Sequence, residues 1–169
     1  STDITTEPGD CPGPPYGTSE GDTIANHVFT TADGGDLDLC SLSQIPGNRI
    51  LLVYGTAGWC TACTYESSDL PGMYDDYHSQ GLEVLAVVFE DESSATADSV
   101  YASGYRDYYG FTFPTVTDPD FLIGSYFDRS SAPLNMFVDL ETMEILEIGT
   151  GYATGGGPLR GAIEGYLGI

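Results

Sequence analysis

Lysine is absent from this chain of 169 residues, and all of its positive side-chain charge rests on Arg49, Arg106, Arg129 and Arg160. Against these stand 26 acidic residues, giving a formal net charge of −22. That balance argues against nucleic acid and anionic membrane surfaces as partners, because both carry the protein's own sign. It fits a solvated acidic surface in a salty environment, where screening weakens self-repulsion. Long hydrophobic runs are also missing. The longest, Ile50–Tyr54 and Val84–Phe89, are strand-sized and fall well short of a bilayer span. Histidine is scarce: His27 and His78 show no paired ligand spacing with the four cysteines, so no metal site is expected. The chain opens on Ser1 in place of Met, which reads as a mature form that has lost a targeting segment.

What the chain does have is concentrated at Trp59-Cys60-Thr61-Ala62-Cys63. The preceding run, Arg49–Tyr54, is apolar and partly β-branched, as in a buried strand. The two cysteines therefore fall where a central strand ends and a helix begins. Free backbone N–H groups and the helix dipole favour an anion there, in this case the Cys60 thiolate. Two intervening residues also let the pair close into a small disulfide ring and reopen. Half of a zinc site, a purely structural disulfide and two packed thiols are the competing readings of this pair alone.

Length and the 41% hydrophobic content describe one ordinary domain. Residues 1–22, rich in Thr, Asp, Gly and Pro, read as an arm or linker before a domain over 23–169. A hairpin is expected from His27–Thr31 and Asp36–Cys40 around Asp33-Gly34-Gly35. A helix follows Cys60, kinked at Pro71 and ended by Gly81. Then come a strand over Leu82–Phe89 and a helix from near Ser93 or Ser94, with Val100, Tyr101, Tyr105 and Tyr108 on its packed face. Pro114–Thr117 reads as a short strand and Phe121–Phe127 as a short helix. Strands over Leu134–Asp139 and Glu144–Thr150 and a helix from Pro158 to about Leu167 complete the pattern. The order implies an α/β fold with a mixed central sheet.

Four stretches make the chain resemble the thioredoxin superfamily, in particular the TlpA/ResA-like thiol–disulfide oxidoreductases of bacterial cell envelopes. They are Gly21-Asp22, Trp59–Cys63, Phe113-Pro114-Thr115-Val116-Thr117-Asp118-Pro119-Asp120, and Ala132-Pro133-Leu134-Asn135-Met136-Phe137-Val138-Asp139. The resemblance implies a thioredoxin fold flanked by helices, with an added N-terminal hairpin and an inserted strand–helix element. It implies Cys60 as nucleophile and Cys63 as resolving thiol, with no cofactor beyond their disulfide. Pro133 matches the family's cis-proline, Ala132 would offer its backbone to a substrate segment, and Trp59 would cover the site. Glu66 matches the envelope branch's helical glutamate, placed to exchange a proton with Cys63.

The family pattern has Pro where this chain has Ala62, and thioredoxins proper carry Asp where this chain has Tyr54. The resemblance further implies protein thiols and disulfides as substrates, an upstream redox donor, a monomer and an extracytoplasmic location, tethered through the removed N-terminal segment. In such a compartment Cys11 and Cys40 could form a second, structural disulfide. A peroxiredoxin-type peroxidase shares the Phe-Pro-x-x-x-Asp feature, but Thr56 lies four residues before Cys60 where that reading needs three. A copper-delivery protein would want C-x-x-x-C and a later histidine.

The acidic composition makes stability salt-dependent. Melting temperature is expected to rise from millimolar to molar sodium chloride as self-repulsion is screened. A flat or falling trend would show the carboxylates to be locally compensated.

Overall fold

The computed structural model describes residues 11–169, so the first part of the expected arm, residues 1–10, lies outside the described residues. The chain runs through β1 (Val28–Thr31), β2 (Asp36–Asp38), β3 (Ile50–Ala57), α1 (Thr61–Tyr77) and β4 (Leu82–Glu90). It continues through α2 (Ser99–Tyr109), β5 (Thr115–Thr117), β6 (Leu134–Asp139), β7 (Glu144–Thr150) and α3 (Gly157–Leu167). One seven-stranded sheet has the order β2-β1-β5-β4-β3-β6-β7. Strands β3, β4 and β5 are parallel, while β6 pairs antiparallel with β3, and β1 with β5.

Burial follows from this order. With neighbours on both edges and cover on both faces, β3 and β4 are buried at every residue, which is why they read as continuous apolar runs. Alternation sends Leu51, Val53, Leu85 and Val87 to one cluster and Leu52, Tyr54, Val84 and Ala86 to the other. The second cluster takes Leu70 and Met73 of α1, Ala102 and Tyr105 of α2, and Ile163 and Leu167 of α3. The first is closed by Leu39, Leu42, Ile123 and Phe127 from 3-10 turns and loops, with Ile24 from the N-terminal segment. Helix α1 stops at Tyr77, short of the expected Gly81, and passes into a 3-10 turn, His78–Gln80, that Gly81 closes at φ 118° in the left-handed conformation glycine adopts most readily.

The hairpin's second strand stops at Asp38, whose carboxylate caps a 3-10 turn over Leu39–Gln44 by accepting Ser41 N–H. The helix expected from Ser93 or Ser94 begins at Ser99. Asp91 binds the N–H groups of Ser93 and Ala95, holding that segment as a turn, and Asp98 is the helix cap. Its buried face is Ala102 and Tyr105, and Val100 and Tyr108 face solvent. The helix expected over Phe121–Phe127 is only a 3-10 turn, Leu122–Ser125. The buried Asp118 carboxylate fixes it by accepting the N–H groups of Leu122 and Ile123. Helix α1 runs through Pro71 to Tyr77.

Gly21 N–H donates to the Ile145 carbonyl, and Ile145 N–H to Asp22, so this segment lies along the β7 side of the sheet. Cys11 is bridged to Cys40, with Cα atoms 5.7 Å apart. Closing a loop of 29 residues restricts the unfolded chain. Replacing both cysteines with alanine is expected to lower unfolding stability by about 2–4 kcal/mol in denaturant titration. An unchanged midpoint would mean that the contacts with β7 hold the segment unaided.

Candidate active site

Strand β3 delivers the chain to the site. After Ala57, Gly58 and Trp59 form a turn, and Cys60 is the N-cap of α1 with extended backbone angles (φ −90°, ψ 112°). Its Sγ accepts the Cys63 N–H at 3.1 Å. The sulfur therefore occupies the place an Asp or Ser oxygen takes at other helix starts. Cys60 and Cys63 are joined as a disulfide, with Cα atoms 5.2 Å apart. Cys60 retains 5% exposure and Cys63 none, so an approaching reactant meets Cys60 first.

Gly58 is required by contact. A Cβ there would lie 2.1 Å from the Tyr101 hydroxyl and 2.8 Å from the Glu92 nitrogen. Half-buried Trp59 donates its indole N–H to Glu90 Oε1 at 2.9 Å and meets the edge of Phe89.

The Ala132–Pro133 peptide is cis. Because β6 runs antiparallel to β3, with Leu134 opposite Gly55, Pro133 lies at the sheet end from which Cys60 emerges. Ala132 N–H makes a long contact, 3.4 Å, to the Arg129 carbonyl, and the Pro133 carbonyl accepts Gly151 N–H. A substrate strand taking the Ala132 N–H would therefore displace a weak bond.

Two polar groups below the first turn of α1 are unusual for a core. Glu66 is fully buried. Its Oε2 accepts from Asn135 Nδ2 at 3.1 Å, while Oε1 has no partner among the described residues. Burial pushes its pKa from 4.5 up to about 8; the Asn135 bond opposes the rise and the Asp69 charge adds to it. The second group is a hydroxyl cluster. Tyr54 donates to the Cys63 carbonyl at 2.9 Å and lies 2.8 Å from Ser67 Oγ. Tyr105 closes the ring, 2.7 Å from Thr56 Oγ1 and 2.8 Å from Ser67 Oγ. Burial pushes Tyr54 well above its ordinary pKa and Tyr105 to about 12, so both phenols stay protonated.

The structure thus gathers Trp59, Cys60, Cys63, Glu66, Ala132 and Pro133 at one end of the sheet, while Cys11 and Cys40 form a separate bridge. Sequence reasoning passed over Glu90, Asn135, Ser67 and the role of Tyr105. Ser67 carried a signal, as a polar residue in the helical stripe of Cys63, Leu70 and Tyr74. Asn135, inside a strand of apolar neighbours, carried another.

The AhpC/TSA family model matches residues 21–141. The thiol-disulfide oxidoreductase ResA of Bacillus subtilis is 27% identical over 137 residues, 80% of this chain and 70% of that protein. A Mycobacterium tuberculosis protein named as a candidate peroxiredoxin is 29% identical over 101 residues, covering 59% of this chain and 57% of its own. Among solved structures, a candidate thiol:disulfide interchange protein DsbE from Chlorobium tepidum superposes with a TM-score of 0.71 at 18% identity. That superposition covers 88% of this chain and 98% of the other. The fold is thioredoxin-like, an α/β structure with a mixed sheet.

Glu66 makes a pH signature. Between 4.5 and about 8 the folded chain holds a proton that the unfolded chain releases. Its destabilising effect is therefore absent below 4.5, grows as pH rises, and levels off above about 8. Glu66→Gln should gain on the parent by a few kcal/mol, roughly, between pH 4 and pH 9 in denaturant titration. A constant difference across that range would place the Glu66 pKa near its ordinary value.

Proposed function

The chain belongs to the AhpC/TSA family, and from that premise we propose that it is a thiol–disulfide oxidoreductase exchanging the Cys60–Cys63 disulfide with protein substrates outside the cytoplasm. The observation that carries this reading is the disulfide at the α1 N-terminus, where Cys60 Sγ accepts the Cys63 backbone N–H. In the reducing direction the Cys60 thiolate attacks a substrate disulfide, and the departing sulfur leaves as thiolate and takes a proton from solvent. Cys63 then passes its proton to ionised Glu66 and attacks Cys60 Sγ. The Cys60–Cys63 bond forms, the mixed disulfide breaks, and the second substrate sulfur leaves as thiolate and takes a proton from solvent, to which Glu66 releases the one it received; the substrate has gained two electrons and two protons. The reverse sequence delivers a disulfide. No bound cofactor is needed, because the cysteine pair holds the electrons.

The residues divide the work. The N-terminus of α1 stabilises the Cys60 anion. Glu66, with its raised pKa, exchanges a proton in the neutral range. The Ala132–Pro133 turn presents backbone to an extended substrate segment, and Trp59 shields one side. An extracytoplasmic location is supported by the Cys11–Cys40 bridge, since such bonds persist in oxidising compartments. Among the described residues no helix is long and apolar enough to cross a membrane. A monomeric protein meeting thiol partners and an upstream donor one at a time fits this chemistry. Peroxidase chemistry is less well served, because the Thr56 hydroxyl is committed to Tyr105 and Tyr54.

Trapping tests the assignment. Cys63→Ser should accumulate a covalent adduct with a disulfide-bonded protein such as insulin, released by dithiothreitol, whereas Cys60→Ser should form none. Adding Glu66→Gln to the otherwise native pair should slow resolution of the adduct several-fold with little change in the first attack. Equal trapping by both cysteine variants, or turnover of peroxide in preference to disulfide, would overturn the reading.

A further inference from the structure

Glu90 closes β4 and is almost fully buried, an unusual place for a carboxylate unless both its oxygens are occupied. They are. Oε1 accepts the Trp59 indole N–H, from the loop that leads into Cys60, and Oε2 accepts Arg129 Nη1. Arg129 opens the 3-10 turn Arg129–Ser131, whose first carbonyl contacts Ala132 N–H just before Pro133. Its guanidinium also lies over the Phe121 ring, 4.2 Å from the centroid. The Glu90 backbone joins in, its carbonyl accepting Gly58 N–H at 2.9 Å.

One carboxylate therefore ties together the two loops that border the redox pair. The other arginines are engaged elsewhere: Arg106 with Asp33 and Asp107, Arg160 with Asp76, and Arg49 with the Gln80 and Leu167 carbonyls. In a chain with −22 net charge, the one guanidinium at the turn leading into Pro133 is held by a buried acid.

We propose that Glu90 and Arg129 are positioning residues for disulfide exchange, clasping the Trp59 loop to the Pro133 turn so that the two sides of the substrate groove keep one spacing. This rests on the oxidoreductase reading above. A protein substrate must engage both loops, so loosening the clasp raises KM for a protein disulfide. A small reagent needs only the Cys60 sulfur, so its reaction rate is set by the helix N-terminus and stays as it was. The clasp also holds the only tryptophan in the chain, whose emission reports its state directly.

The experiment compares the native protein with Arg129→Gln, Arg129→Lys and Glu90→Gln. Three quantities are measured: Trp59 emission with acrylamide quenching, KM and kcat for insulin reduction, and the rate of Cys60 alkylation by iodoacetamide. Arg129→Gln should raise KM for insulin about tenfold, the scale of one charge-assisted hydrogen bond, with kcat and alkylation within twofold. Quenching of Trp59 should increase. Arg129→Lys should recover part of the KM, since it keeps the charge without the forked geometry. The Arg129 side chain is 52% exposed, so this arm keeps the test decisive even if Glu90→Gln fails to fold. Unchanged quenching and KM in folded Arg129→Gln would overturn the clasp, as would an equal loss of insulin reduction and alkylation. Absence of insulin reduction by the native protein would instead strike the oxidoreductase reading, and the quenching comparison would still decide whether Arg129 restrains Trp59.

Discussion

The site depends on one contact, the Cys63 N–H held by Cys60 Sγ. It makes a cysteine the N-cap of a 17-residue helix, so the sulfur sits where the unpaired N–H groups of the first turn are concentrated. Everything around it fixes that position. Strand β3 is paired on both sides, with β4 and β6, so its end cannot move without disturbing the whole sheet. Gly58 admits the Tyr101 hydroxyl and the Glu92 nitrogen against the connecting turn. The antiparallel run of β6 brings the cis-proline turn to the same end of the sheet.

Below this contact the core is polar in two different ways. The Tyr54, Thr56, Ser67 and Tyr105 hydroxyls satisfy one another and tie the Cys63 carbonyl to β3 and α2. Such a closed network is rigid, and its phenols stay protonated. The Glu66–Asn135 pair is incomplete, with one oxygen on each side chain unpartnered among the described residues. Leaving a buried polar atom unpaired costs about 1–3 kcal/mol, and a buried carboxylate ion costs more than its neutral acid. The first network holds the backbone of the resolving cysteine in place, while the second keeps a titratable proton in the helix one turn beyond it.

Much of this was legible in the sequence where burial is two-sided or turn chemistry is simple. The runs that became β3 and β4 are apolar at nearly every position, and β6 and β7 match their expected bounds because Pro133 and the Glu141–Met143 turn delimit them. The errors fall where an aspartate carboxylate takes up backbone N–H groups, two each at Asp91 and Asp118 and one at Asp38. Asp91 holds a turn where a helix start was expected, Asp38 cuts short a strand, and Asp118 limits a helix to a 3-10 turn. An aspartate announces a cap without saying how far the capped element extends. At the site, the cysteines and proline could be read from motif and position. Glu90 could not, because its partners lie 31 and 39 residues away and only the sheet brings them together.

The central claim, that the start of α1 activates Cys60, is tested most directly by the pH dependence of alkylation of the reduced protein, with each cysteine mapped by mass. The account predicts that Cys60 is labelled first, with its rate rising through an apparent pKa at least a unit below the value of about 8.5 for a free thiol. Cys63, fully buried, should react slowly throughout. First labelling of Cys63, or a Cys60 pKa at or above the free-thiol value, would contradict it.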